Sequence, residues 1–243
     1  MATGQTGRVL VVIPAFNEAG SVGTVVADVR DVLPLATILV VDDGSIDGTA
    51  AAARAAGAIV ARLPFNLGVG GAMRTGYRFA ERNGYEVAVQ VDGDGQHDAS
   101  YLPQLIDAVS QADVVIGARF AGEGDYAVRG PRVWAMRVLS RVVGRIVRAP
   151  LTDVTSGYRA CSRRAIKVFS HHYPAEYLGD TVESLVIAHR AGLRVAQVPV
   201  AMRRRTTGLP SQSLLGSVTY LARACAALGF ALIRRWPVPE EAT

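Results

Sequence analysis

"ATILVVDDGSIDGTAAAARAAGAIVARL", residues 36–63, contains a complete strand–helix–strand unit. Its first run, 36–42, is rich in valine and isoleucine and ends on Asp42. A run that short and that uniformly apolar reads as a strand buried on both faces. Turn residues follow, with Ser45 or Asp47 placed to cap the alanine-rich helix behind them. A second apolar run, 58–63, closes the unit.

The same rhythm extends in both directions. "RVLVVIP" (8–14), "EVAVQVD" (86–92) and "ADVVIG" (112–117) read as further buried strands. Segments of helical spacing lie between them: "AGSVGTVVADVRDVL", "GGAMRTGYRFAERNG" and "YLPQLIDAVSQ". The alternation predicts an α/β fold, an open, mostly parallel sheet with helices on both faces, in one domain. After "FAGEGDYAVRGP" the rhythm changes. A helix over 131–148 opened by Pro131, an irregular "TDVTSGYRACS", a helix near 181–191, a strand "LRVAQVPVAM" and a loop "RRRTTGLPSQS" are expected there.

Ligands of such sheets gather beyond the C-terminal strand ends. Polar residues fall there four times: Asn17 and Glu18, Asp42 and Asp43, Asn66, then Asp92 and Asp94. Asp42 ends its strand directly, in position for a base or ribose edge. In "VQVDGDGQHD" the two carboxylates at i and i+2 project to one side, so both reach a single cation. Gly93 and Gly95 allow the chain to bend around it. Oxygen ligands suit Mg²⁺ or Mn²⁺, whose shell a diphosphate completes; Gln96 and His97 offer further donors. An Asp-Gly turn is the plainer explanation of the same residues, and the company of the other strand ends tips the balance. "NLGVGGAMRTG" is glycine-rich before a helix, which suits phosphate. Met73 stands where a dinucleotide fingerprint needs its third glycine, so that fingerprint fails.

The 243 residues carry a net charge of +5, almost all of the positive charge as arginine, and half of them are hydrophobic. Arginine forks suit phosphate. Cys161 and Cys225 are the only cysteines, which fits a reduced, cytoplasmic setting, and the first residues lack a signal-peptide layout. Residues 129–148 hold Arg129, Arg132, Arg137, Arg141, Arg145 and Arg148 with Trp134 and no acid. That pattern predicts peripheral contact with an anionic membrane surface. Few aromatic platforms exist at 7% aromatic, so nucleic acid is not an expected partner. The apolar stretch 214–233 has bilayer length but centres Arg223. Roughly −4 kcal/mol of apolar insertion set against about +3 for that arginine leaves spanning marginal. An interfacial helix, or one that mediates homo-oligomers, is expected instead.

Seven collinear blocks, "VVIPAFNEAGSV", "VVDDGSIDGT", "NLGVGGAMRTGY", "VQVDGDGQHD", "VVIGARF", "DVTSGYRA" and "GLRVAQVPVAMRRRTTGLPS", resemble family 2 glycosyltransferases of GT-A fold over about residues 8–213. The similar subgroup is the dolichol- or polyprenyl-phosphate hexosyltransferases. That resemblance implies a nucleotide-sugar-binding half, 1–125, and an acceptor-binding, membrane-associating half, 126–243. It places Pro14, Ala15, Asn17, Glu18, Asp42, Asp43, Asn66, Gly71, Asp92 and Gly93 around the nucleotide sugar. It makes Asp92, Asp94 and Gln96 the metal ligands. Arg119, Arg129, Arg132, Ser156, Arg159 and Arg205 fall on the acceptor phosphate, and Asp94, Arg119 and Arg205 on the reaction itself. The chain departs from the pattern at "GLPSQS" (208–213), where relatives often carry a lysine after the serine.

The implied activity is metal-dependent, inverting transfer of a hexose or N-acetylhexosamine from a nucleotide sugar to polyprenyl phosphate, with UDP-N-acetylgalactosamine favoured over GDP-mannose. Chemistry independent of the resemblance agrees on the acceptor. A phosphate monoester has its second pKa near about 6 and attacks without a protein base. A carbohydrate hydroxyl needs one, for which Asp180 or Glu183 is the candidate. A silent nucleotide- or lipid-binding module is the remaining alternative.

Overall fold

The computed structural model describes residues 8–119, 131–174 and 180–203, the side chains of 131–135 excepted. Arg129, Arg205 and the stretch 214–233 lie outside the described residues, as does the side chain of Arg132. In chain order the elements are β1 (Val9–Ala15), α1 (Val22–Val32), β2 (Thr37–Asp42), α2 (Thr49–Ala55), β3 (Ile59–Arg62), α3 (Gly68–Arg82) and β4 (Val87–Gln90). A short 3₁₀ turn leads into α4 (Leu102–Ala108), followed by β5 (Val114–Ala118), α5 (Pro131–Val147), β6 (Arg159–Ser162), α6 (Arg163–His172), α7 (Asp180–Arg190) and β7 (Val195–Pro199). One sheet takes all seven strands in the order β3-β2-β1-β4-β6-β5-β7.

The uninterrupted apolar runs are strands whose alternate residues enter different cores. Leu10 and Val12 of β1 and Leu39 and Val41 of β2 pack with Met73, Leu139, Ile166 and Leu185 from α3, α5, α6 and α7. Val11, Ile13, Ile38 and Val40 face the other way, onto Val22, Ala53 and Leu105 from α1, α2 and α4. Each such valine or leucine contributes about 1.5–3 kcal/mol by leaving water, which is why these strands carry no charge before Asp42 at the end of β2.

The sheet is mostly parallel with helices on both faces, as the alternation predicts. Two elements differ from expectation. The end of the segment read as irregular forms β6, which runs antiparallel between β4 and β5, and the ten residues behind it form α6. Ser162 caps that helix, accepting from the Ala165 N–H. Among the described residues no helix is long and apolar enough to cross a membrane.

Candidate active site

The loops that leave β1 and β2 are braided together. Asn17 holds a left-handed φ of 56°, a conformation asparagine tolerates better than most residues. Its N–H donates to Ser45 Oγ at 2.9 Å, and its Oδ1 accepts from the Ile46 N–H at 3.0 Å. The Glu18 N–H donates to Thr49 Oγ1, and the Ser21 hydroxyl donates to the Glu18 carboxylate at 2.7 Å. Asp47 accepts from Thr49 and from the Ala19 N–H, and burial opposing these bonds does not prevent them from lowering its pKa. Gly44 sits at φ 74°, where an added Cβ would lie 2.7 Å from the Phe65 carbonyl carbon. No other residue fits that crossing.

Asp42 and Asp43 adjoin in sequence and differ in employment. Both oxygens of Asp43 are engaged at the start of α3, accepting from the Leu67 N–H at 2.7 Å and the Gly68 N–H at 2.8 Å. Burial raises the Asp43 pKa in spite of those two bonds, and the neighbouring Asp42 adds to the rise. Asp42 is fully buried; its Oδ1 accepts from the Ser45 N–H. Its Oδ2 has no hydrogen-bond partner, the Arg62 Nε lying 3.4 Å away in poor alignment. Asn66 is exposed and caps the Gly68 N–H at 3.1 Å. Gly71 lies on the first turns of α3 against Leu67, with room for no side chain.

Pro14 and Ala15 end β1, paired with Val41 and Asp42, and Gly93 passes close enough that a Cβ would meet the Pro14 carbonyl oxygen at 3.2 Å. Asp92 follows β4 with its side chain 39% exposed, held from three directions. Gln90 Nε2 donates to Oδ1 at 2.9 Å. The Asp92 N–H donates to His97 Nδ1 at 3.0 Å, which fixes the proton of the neutral ring on Nε2, 3.5 Å from Asp92 Oδ2. His97 stacks on Tyr158 with centroids 4.5 Å apart. Gly157 closes the third side: a Cβ there would stand 3.3 Å from Asp92 Oδ2 and 2.7 Å from Gln90 Nε2. Asp94 is half-buried and folds its Oδ1 onto the Gln96 N–H at 3.0 Å. Among the described residues no group of three or more His, Cys, Asp or Glu could hold an ion alone. Asp92 in its cradle, with Asp94 and Gln96 on the turn that follows, offers oxygen donors of the kind a divalent cation takes when a ligand completes its shell.

The antiparallel β6 brings the "TSGYR" block to this same end, with Arg159 opposite Gln90. Arg159 is 2% exposed, and its guanidinium donates to Ser156 O at 2.9 Å, Ser184 Oγ at 2.8 Å and Val154 O at 3.0 Å. Ser156 is buried beneath it and takes the Tyr158 N–H on its hydroxyl at 3.3 Å. Asp180 opens α7 in the same interior, and its carboxyl titrates at about 6. Burial causes most of that rise; the Arg159 charge opposes it and the Asp92 charge adds to it. Arg119 follows β5 with a fork on Asp153, at 2.7 and 3.0 Å, and a third bond to Thr155 Oγ1 at 2.7 Å. Burial works against ionisation of Asp153, yet the Arg119 fork holds its pKa below the usual carboxylate range. Arg203 pins the chain beyond β7, donating to Asp28 and Asp98.

The strand-end residues thus converge on one rim, with Glu18, Asp43 and Arg159 engaged in holding it together. Sequence reasoning did not single out Gln90, Gly157, Tyr158 or Asp153. A lone glutamine inside an apolar strand was the one available signal among them.

The family model of glycosyl transferase family 2 matches residues 10–169, and the chain belongs to that family of sugar-transferring enzymes. It is 34% identical over 212 residues to undecaprenyl-phosphate mannosyltransferase of Micrococcus luteus, covering 83% of this chain and 86% of that one. It is 33% identical over 220 residues to polyprenol monophosphomannose synthase of Mycolicibacterium smegmatis, covering 86% and 82%. The fold matches glucosyl-3-phosphoglycerate synthase of Mycobacterium tuberculosis, solved with Mn²⁺, UDP and phosphoglyceric acid. The TM-score is 0.71 at 21% identity, over 97% of this chain and 80% of that one.

Proposed function

We propose that the protein transfers a hexosyl or N-acetylhexosaminyl group from a nucleotide sugar to polyprenyl phosphate, with inversion at the anomeric carbon and with a divalent metal. The carrying observation is the cradle around Asp92, built by Gln90, His97 and Gly157, where the described residues offer too few ligands to hold an ion without a second party. The two prenyl-phosphate relatives support the acceptor by their names. Both are named for mannose, which favours the broad class of hexosyl donors over a preference for UDP-N-acetylgalactosamine.

In this reading Asp42 offers its unbonded Oδ2 to the nucleoside, while Pro14, Ala15 and Asn17 shape the slot beside it. Glu18 and Asp43 act through the loops they brace. Asp92, Asp94 and Gln96 would hold Mg²⁺ or Mn²⁺, which when bound neutralises the departing diphosphate. A phosphate oxygen of the acceptor attacks the anomeric carbon, forming the new C–O bond as the bond to the nucleoside diphosphate breaks. No proton needs removal, because the nucleophile is already ionised at neutral pH. Arg119, oriented by Asp153, serves the acceptor phosphate together with Arg129, Arg132 and Arg205, and Ser156 shapes the same corner. Arg159 is a positioning residue here: its donors go to the backbone of 154 and 156 and to Ser184.

One observation favours a second reading. The Asp180 carboxyl, titrating at about 6 within the field of Asp92, has the properties of a base for a carbohydrate hydroxyl. A single assay separates the two. Purified protein and Mn²⁺ or Mg²⁺ are incubated with radiolabelled UDP- and GDP-sugars, with and without polyprenyl phosphate, and the organic phase is counted. Lipid-dependent, metal-dependent label is expected. Intact nucleotide binding with no organic-phase label from any donor would overturn the lipid acceptor.

A further inference from the structure

A second basic feature lies away from the strand ends, where α5 and the chain behind it meet the edge strand β7. A groove of about 840 Å³ runs there, lined by Arg141, Arg145, Arg148, Thr152 and Gln197 among others. Its distance from β4, across β6 and β5, is three strand spacings, about 14 Å. The groove is built rather than incidental. Gln197 Oε1 accepts from the Thr152 N–H at 2.9 Å, and the Ser140 hydroxyl donates to Thr152 O at 3.0 Å. The chain returns over α5 so closely that a Cβ on Gly144 would lie 2.8 Å from Ala149 O.

Two independent features set this groove apart. Arg141, Arg145 and Arg148 follow helical spacing on one face, all exposed, and none has a hydrogen-bond or ion-pair partner among the described residues. α5 itself carries no acid to balance them. The second feature is conformational. α5 ends with the Ala149 N–H bonded back to Gly144 O at 3.0 Å, and Arg148 occupies the left-handed position of that cap at φ 56°. Glycine is the ordinary occupant there, since a side chain strains the backbone. An arginine at a strained cap, lining a groove already lined by two more, places three unbalanced positive charges together.

We propose that this groove binds the phosphate headgroup of an anionic phospholipid and so docks the β7 edge of the domain on a membrane. The arginines match phosphate in charge and in fork geometry, and a row of three spaced along a helix suits a surface of repeated headgroups better than one small ion. The inference goes beyond the transfer reaction and is tested without it, so failure of either leaves the other standing.

The experiment sediments the full chain with vesicles of phosphatidylglycerol and phosphatidylcholine, or of phosphatidylcholine alone, with no sugar donor and no polyprenyl phosphate. Wild type is compared with R141Q/R145Q/R148Q and with Arg148→Gly. At about one charge's worth of attraction per arginine, the triple variant should bind anionic vesicles about 100-fold more weakly and Arg148→Gly about five-fold. Arg148→Gly should keep its melting temperature at or above wild type, because the cap strain is relieved, so weaker binding cannot be blamed on unfolding. Unchanged affinity of the triple variant for anionic vesicles would overturn the proposal. So would displacement of the wild type from vesicles by millimolar inorganic phosphate, which would make the groove a site for a small soluble phosphate.

Discussion

Asp180→Asn should stabilise the protein at neutral pH and leave it unchanged in acid. The carboxyl titrates at about 6 in the fold, with burial as the main cause, against about 3.9 in an unfolded chain. The folded state therefore holds this proton more tightly than the unfolded state does. Stability falls as pH rises through that interval, by about 3 kcal/mol once both states are ionised. An amide never ionises, so the variant escapes the fall. For a chain of this length that corresponds to a rise in Tm of about 6–12 °C at neutral pH. The assay is thermal unfolding of both proteins at about pH 4 and about pH 7.5, in chelator, where the other titrating groups cancel in the difference. A Tm difference that is the same at both pH values would refute the reasoning, since Asp180 would then be titrating as an exposed carboxylate.

Asp94→Ala should abolish turnover while keeping the fold, the turn bond to the Gln96 N–H being worth about 1 kcal/mol; full activity in a chelated wild-type sample would remove the metal role. Gly157→Ala forces the Gln90 amide and the Asp92 carboxylate apart, so the metal concentration for half-maximal activity should rise by about 10–100-fold at little cost in Tm. Asp153→Asn breaks the Arg119 fork and should destabilise by about 3 kcal/mol, read from denaturant midpoints. Because the Asp153 pKa is lowered in the fold, the stability it adds is present above the unfolded carboxylate pKa and fades in acid. The variant and wild type should therefore converge as pH falls below about 4.

The strands were legible because each is a compact apolar run, and the strand-end rim because polar residues interrupt those runs at one consistent place. What could not be read depends on partners distant in sequence. Asp43 and Asp42 look alike in "VVDDGS", yet the oxygens of Asp43 go to N–H groups 24 and 25 residues away, while one oxygen of Asp42 stays unbonded. No spacing rule separates them. The resemblance places Arg159 on the acceptor phosphate, and nothing in the sequence announces its burial, which follows from the Ser184 hydroxyl and two carbonyls that the fold assembles around it. The strand β6 begins on a charged residue and runs only four residues, with no alternation to announce it. Its strand character comes from β4 and β5 on either side.

The direction of β6 explains why two halves of the chain make one site. A strand inserted parallel between β4 and β5 would arrive from the N-terminal ends of its neighbours and leave its preceding loop on the far side of the sheet from Asp92. Running antiparallel, β6 starts where β4 and β5 finish, with Arg159 opposite both Gln90 and Ile116. Residues 153–158 must then cross the strand ends before entering the sheet. That crossing delivers Asp153 to Arg119, Gly157 to the Asp92 carboxylate and Tyr158 to the His97 ring. The cradle around Asp92 thus owes its walls to a strand reversal nearly seventy residues downstream of Asp92, and within 153–158 a substitution at Gly157 should act on metal affinity before it acts on the fold, whereas one at Asp153 or Tyr158 should act on the fold as well.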